Sequence, residues 1–147
     1  FAQYVDMAYR GLTTPGLLTE YKGFEIEHIL PNTPETDLRE AFGMQNGKPD
    51  YEAYKVKLGN LTLLEKPINI VASNSFFAQK KPEYVKCASY LTRSIVELVD
   101  VGKNSSITRI NAKLQAFEDW TARSIDRRQE LLVDLAEEVW CVRDYEG

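Results

Sequence analysis

The chain has 147 residues, 44% of them hydrophobic and 11% aromatic, which is enough to bury a core and excludes a disordered segment. A formal charge of −4 argues against a nucleic-acid binder with a basic surface throughout, and no uninterrupted apolar run nears the roughly 18 residues of a membrane span. Cys87 and Cys141 stand apart from each other and from the single histidine, which argues against zinc and fits two reduced thiols packed as small hydrophobes in a cytoplasmic protein.

The chain starts at Phe1 rather than Met, so a piece of a longer polypeptide is expected. Val5, Ala8, Tyr9 and Leu12 fall at helical spacing, and Gly11 and Pro15-Gly16 end that helix. Phe24 to Leu30 alternates as a short strand, with Phe24 and Ile26 on its apolar face and Pro31 closing it. Thr33-Pro34 caps a short helix carrying Leu38, Ala41 and Phe42, with Gly43 past its end. Asp50 caps another, which places Tyr51, Tyr54 and Leu58 on one face and stops at Gly59. Leu61 to Leu64 reads as a buried strand, and a helix is expected to begin near Asn69 or near Ser73-Asn74.

The second half reads as helical. One stripe runs from Tyr90 through Ile95 to Val99 and stops at Gly102 to Ser105, and a second joins Ile107, Ile110, Leu114 and Phe117. A third follows a Thr121 cap through Ile125, Leu132, Leu135, Ala136 and Trp140, and Trp120 and Trp140 both read as core. The expected architecture is a mostly helical α+β domain over residues 1–147, with a strand–strand–helix finger at about 24–81 and a helical remainder at about 83–140.

Chemistry concentrates where Glu27 and His28, the only histidine, end the first strand. A neutral imidazole accepts a proton near neutral pH, so His28 is the candidate general base. Glu27 and Asn69 offer a carboxylate and an amide oxygen, hard ligands suited to one Mg²⁺ or Mn²⁺ that keeps several waters. The spacing Asn60-Leu61-x-x-Leu64 and then Asn69 puts one asparagine ahead of the second strand and one on the following helix, so both converge on the end of the first. Between Phe24 and Glu52 seven acids face two bases, whereas between Lys66 and Arg93 five bases face only Glu83, a strip able to track a phosphate backbone. Lys80, Lys81 and Arg128 are the candidate phosphate contacts.

These residues resemble the HNH endonucleases, also called ββα-metal or His-Me finger nucleases. Glu25-Ile26-Glu27-His28-Ile29-Leu30-Pro31, Leu58-Gly59-Asn60-Leu61-Thr62-Leu63-Leu64, Asn69, Ser73-Asn74, Phe77 and Lys80-Lys81 are similar to the nuclease half of GmrSD-type modification-dependent restriction enzymes. Trp120, Ile125, Arg128, Leu132, Ala136 and Trp140 extend the resemblance to the carboxy-terminal end. Asn32 and the longer segment from Val96 to Glu118 depart from it. The resemblance implies a DNA endonuclease with His28 as base, Asn60 bracing the loop and orienting it, and Glu27 and Asn69 as metal ligands, with Asn74 competing for Asn69's role. It also implies a nucleotide-hydrolysing sensor domain upstream, in the same polypeptide or complex, and a possible homodimer if both strands are cut. A nuclease-like module that binds DNA or protein without cleaving, and an RNA-directed nuclease, are the alternatives.

Overall fold

In the computed structural model, which describes residues 2–11, 21–99 and 105–140, helix α1 (Ala2–Arg10) ends at Gly11, whose φ of 66° suits a residue without a Cβ. Leu12 and Pro15-Gly16 lie outside the described residues. Strand β1 (Phe24–His28) is followed by α2 (Thr36–Gly43), α3 (Tyr51–Lys55) and a single 3₁₀ turn at Leu58–Asn60. Strand β2 (Leu61–Glu65) leads directly into α4 (Lys66–Ala72), where Pro67 occupies the first turn and its missing N–H removes no helical bond. Then come α5 (Phe77–Tyr84), α6 (Tyr90–Arg93), α7 (Ser105–Asn111) and α8 (Ala122–Val139).

The strands pair antiparallel, with Phe24 opposite Glu65 and His28 opposite Leu61, so His28 sits where β1 ends and β2 begins. With α4 this makes the expected strand–strand–helix unit inside a mostly helical α+β fold. Phe24 packs against the core as expected, but further along β1 the inward side chain is Glu27 and not Ile26. Ile26 is 63% exposed, while Glu27 is 5% exposed because it shares its side of the sheet with Thr62 and Leu64, themselves 5% and 0% exposed. A carboxylate is therefore buried at the end of β1, and its burial depends on partners from the helices.

Helix boundaries depart from the expected ones for local reasons. Thr33 and Pro34 stay outside α2, which Glu35 precedes without a side-chain cap, whereas Asp50 caps α3 by accepting from the Glu52 amide. The helix expected from Asn69 or Ser73 is two helices: Ser73 adopts φ 48° and ψ −152°, which ends α4, and α5 begins at Phe77. The Tyr90 to Val99 stripe is helical only through Arg93, and the Tyr90 hydroxyl instead accepts from the Val99 amide at 2.9 Å. The expected stop at 102–104 lies outside the described residues. Leu114 and Phe117 fall past the end of α7.

At α8 the expected cap is complete: Thr121 Oγ1 accepts from the Ser124 amide while Ser124 Oγ accepts from the Thr121 amide. Ile125, Leu132 and Leu135 are buried, but Trp140 is 62% exposed, because the stripe outruns the core at the end of the helix. Two hydrophobic clusters result. One joins the finger to α2, α5 and the start of α8 through Leu30, Phe42, Leu64, Phe77, Trp120 and Ile125, and the other joins α1, α6, α7 and the rest of α8 through Val5, Tyr90, Ile110, Leu132 and Leu135. Cys87 is a buried free thiol, and burial pushes it up to about 12, which leaves it inert; Cys141 lies outside the described residues. Among the described residues no helix is long and apolar enough to cross a membrane.

Candidate active site

His28 is half-buried at the tip of the sheet. Burial holds its pKa below the ordinary 6.5; the Glu27 carboxylate pulls the other way, and the ammonium groups of Lys80 and Lys55 reinforce the lowering. The imidazole is thus neutral at physiological pH, the form that accepts a proton.

The backbone just beyond His28 is gripped by Asn60. Its main-chain carbonyl accepts from the Ile29 amide at 3.0 Å, and its side chain closes a two-way clamp on Leu30: Oδ1 accepts from the Leu30 amide at 2.7 Å and Nδ2 donates to the Leu30 carbonyl at 2.9 Å. Nδ2 also donates to the Lys55 carbonyl at 2.9 Å, and Oδ1 accepts from Trp120 Nε1 at 2.9 Å. Asn60 is 0% exposed, so these four bonds meet the bonding capacity of a fully dry amide.

Helix α8 in turn holds the turn that carries Asn60. Gly59 lies so close to α8 that a Cβ there would stand 2.2 Å from the Ile125 carbonyl oxygen and 2.9 Å from the Gln129 amide. Its requirement for glycine is this close approach and not a positive φ. Gln129 Oε1 accepts from the Gly59 amide at 2.6 Å, and Arg128 donates from one guanidinium nitrogen to the carbonyls of both Gly59 and Leu61, at 2.8 and 2.6 Å. Arg128 was expected at the phosphate backbone. It is 4% exposed and brackets Asn60 from inside, and burial pushes its pKa down to about 10, still charged at neutral pH.

Lys80 is a second correction. It is 0% exposed, and its ammonium donates to Glu27 Oε1 at 2.5 Å and to the His28 carbonyl at 2.9 Å, so it braces the end of β1 from beneath and is no surface phosphate contact. Tyr84, one turn further along α5 and also 0% exposed, donates its hydroxyl to the same Glu27 oxygen at 2.7 Å. Burial lowers the Lys80 pKa against the pull of Glu27, and burial followed by Glu27 raises that of Tyr84 well above 10.0. The i, i+4 spacing of Lys80 and Tyr84 is the signal that could have marked them as one inward pair; nothing in the sequence marked Trp120 as a donor to Asn60.

The two expected metal ligands are engaged separately. Asn69, half-buried on α4, donates from Nδ2 to Glu25 Oε2 at 3.0 Å, while the contacts of Glu27 fall on Oε1. Asn74 is exposed beyond α4. Lys81 is partly exposed, donates to the Glu118 carbonyl at 3.3 Å and lies over the Phe77 ring. Among the described residues no three His, Cys, Asp or Glu side chains converge. The oxygens present, one carboxylate and one amide, fit a hard cation that binds through few protein groups and keeps its waters, and do not fit a closed cage.

No curated protein and no solved structure matches the chain. A family model does: that of the GmrSD restriction endonucleases, C-terminal domain, over residues 6–135, which takes in the second half of α1, the whole finger and most of α8. With the match covering most of its length, the chain belongs to the family of GmrSD restriction endonuclease C-terminal domains.

Proposed function

We propose that this domain is a metal-dependent DNA endonuclease of the HNH type, with His28 as its general base. The observation that supports it most strongly is the construction around His28: a neutral, half-open imidazole at a strand end whose following backbone is gripped by the fully satisfied Asn60. His28 takes a proton from water as that water attacks phosphorus. Asn60 keeps the His28 loop fixed during the attack. Glu27, through the oxygen that Lys80 and Tyr84 leave over, and Asn69 would hold Mg²⁺ or Mn²⁺. When bound, the cation supplies charge neutralisation on the phosphoryl oxygen and the departing 3′ oxygen. Products with 5′ phosphate and 3′ hydroxyl ends follow.

In a cytoplasmic restriction system directed at modified or foreign DNA, recognition of the modification falls to an upstream nucleotide-hydrolysing sensor, in the same polypeptide or complex. Cutting both strands requires two such sites, as a homodimer would supply. One observation favours the second reading, a module that binds without cutting: the Glu27 carboxylate already has the Lys80 ammonium against it. Metal dependence separates the two. Supercoiled plasmid incubated with the full chain is expected to relax or linearise with Mg²⁺ or Mn²⁺ and to stay supercoiled in EDTA. Conversion at the same rate in EDTA would defeat the proposal.

A further inference from the structure

With Lys80 and Arg128 turned inward, the site needs another cation to receive the phosphate that the water activated by His28 would attack. We propose that Lys55, with Arg39 beside it, is that phosphate contact, set at the rim of the loop that follows His28; the inference rests on the nuclease reading above.

Two contacts place Lys55 there. It is the last residue of α3, and its carbonyl accepts from Asn60 Nδ2 at 2.9 Å, so the end of α3 is stitched to the same clamp that grips Leu30. Its ammonium donates to the carbonyl of Asn32, four residues past His28, at 3.3 Å. Lys55 therefore flanks the loop from outside while Lys80 braces it from beneath.

The surroundings of Lys55 leave charge to spare. Glu52 Oε2 pairs with Lys55 at 2.6 Å and Glu52 Oε1 pairs with Arg39, so two cations share one carboxylate and the cluster is net positive. The side chains of Arg39 and Glu52 are 50% and 49% exposed, and that of Lys55 is 17% exposed. The Glu52 carboxylate that holds both cations is open to solvent, which screens its pairs, so an arriving phosphate can replace either the Asn32 carbonyl or one Glu52 contact. Glu52 meanwhile pre-orients both cations toward one place.

The test is duplex DNA binding by the full chain in EDTA, followed by fluorescence anisotropy across a range of NaCl concentrations. Each phosphate contact contributes about 0.9 to the slope of log K against log salt. Lys55→Gln is expected to weaken binding alike for unrelated duplexes and to reduce the slope by about one contact. Lys86→Gln, which removes an exposed lysine paired with Glu83 on the far end of the basic strip, is expected to leave the slope at the parent value. A parental slope in Lys55→Gln, or an equal reduction in Lys86→Gln, overturns the assignment. A parent chain that binds no duplex even at low salt overturns the nuclease reading and this assignment with it.

Discussion

Removing the Asn60 side chain tests the framework that holds His28. In Asn60→Ala the Leu30 amide and the Trp120 indole N–H lose their acceptor, and the Leu30 and Lys55 carbonyls lose a donor, all beside a residue that is 0% exposed. Each stranded buried donor costs about 1–3 kcal/mol, so the two together set a loss of about 2–6 kcal/mol before any cavity is counted. Against a typical total of about 5–15 kcal/mol, that is a large fraction. At about 2–4 °C per kcal/mol for a chain of this size, the midpoint of thermal unfolding should fall by about 4–24 °C. Urea unfolding followed by tryptophan fluorescence gives the free energy directly. Asn60→Asp separates the parts: it keeps an acceptor for both N–H groups but turns a carboxylate toward two carbonyls, and should be no more stable than the alanine variant. A loss below about 1 kcal/mol in Asn60→Ala would refute the clamp, since four dry bonds cannot be that cheap to break.

Other outcomes follow from neighbouring contacts. Gly59→Ala forces a methyl to 2.2 Å from the Ile125 carbonyl, a backbone atom that cannot swing aside, so α8 must shift off the finger; several kcal/mol of stability or outright loss of soluble protein is expected in the same urea assay. Breaking the buried Glu27–Lys80 pair by Lys80→Met should cost about 3–5 kcal/mol, and Glu27→Gln combined with it should cost less than the sum of the two single changes, a double-mutant cycle that an additive result would contradict. The His28 pKa lies below 6.5, so cleavage should rise with pH, reach half its plateau below pH 6.5 and stay level through neutrality. The same depressed pKa makes the folded state bind its proton later than the unfolded state, so a stabilising contribution present above pH 6.5 is lost as pH falls through the folded value, and His28→Gln should remove that part of the acid slope.

The finger was legible because its signals are local. The strand ending in Glu27-His28, the Leu61 strand and the asparagine spacing all rest on chain neighbours and turn chemistry, and Thr121 and Asp50 cap the helices they were expected to cap. What was not legible is which polar side chains turn inward. Lys80 and Arg128 look like surface cations because lysine and arginine almost always are, and their burial is decided by Glu27, Tyr84 and two carbonyls that approach from distant parts of the chain. Ile26 was misplaced for the complementary reason: once a buried lysine satisfies Glu27, that carboxylate can turn inward and leave Ile26 exposed. Lys55 carried no signal at all, since its position at the His28 loop depends on the Asn60 clamp that draws α3 against it.

The most direct measurement compares plasmid cleavage by the full chain and its His28→Ala variant at matched folding and saturating Mg²⁺ or Mn²⁺. General-base catalysis contributes roughly 100- to 10,000-fold, and the variant should lose activity within that range while keeping its unfolding midpoint near that of the parent. A His28→Ala protein that remains folded and cuts as fast as the parent would contradict the assignment of His28 as the base.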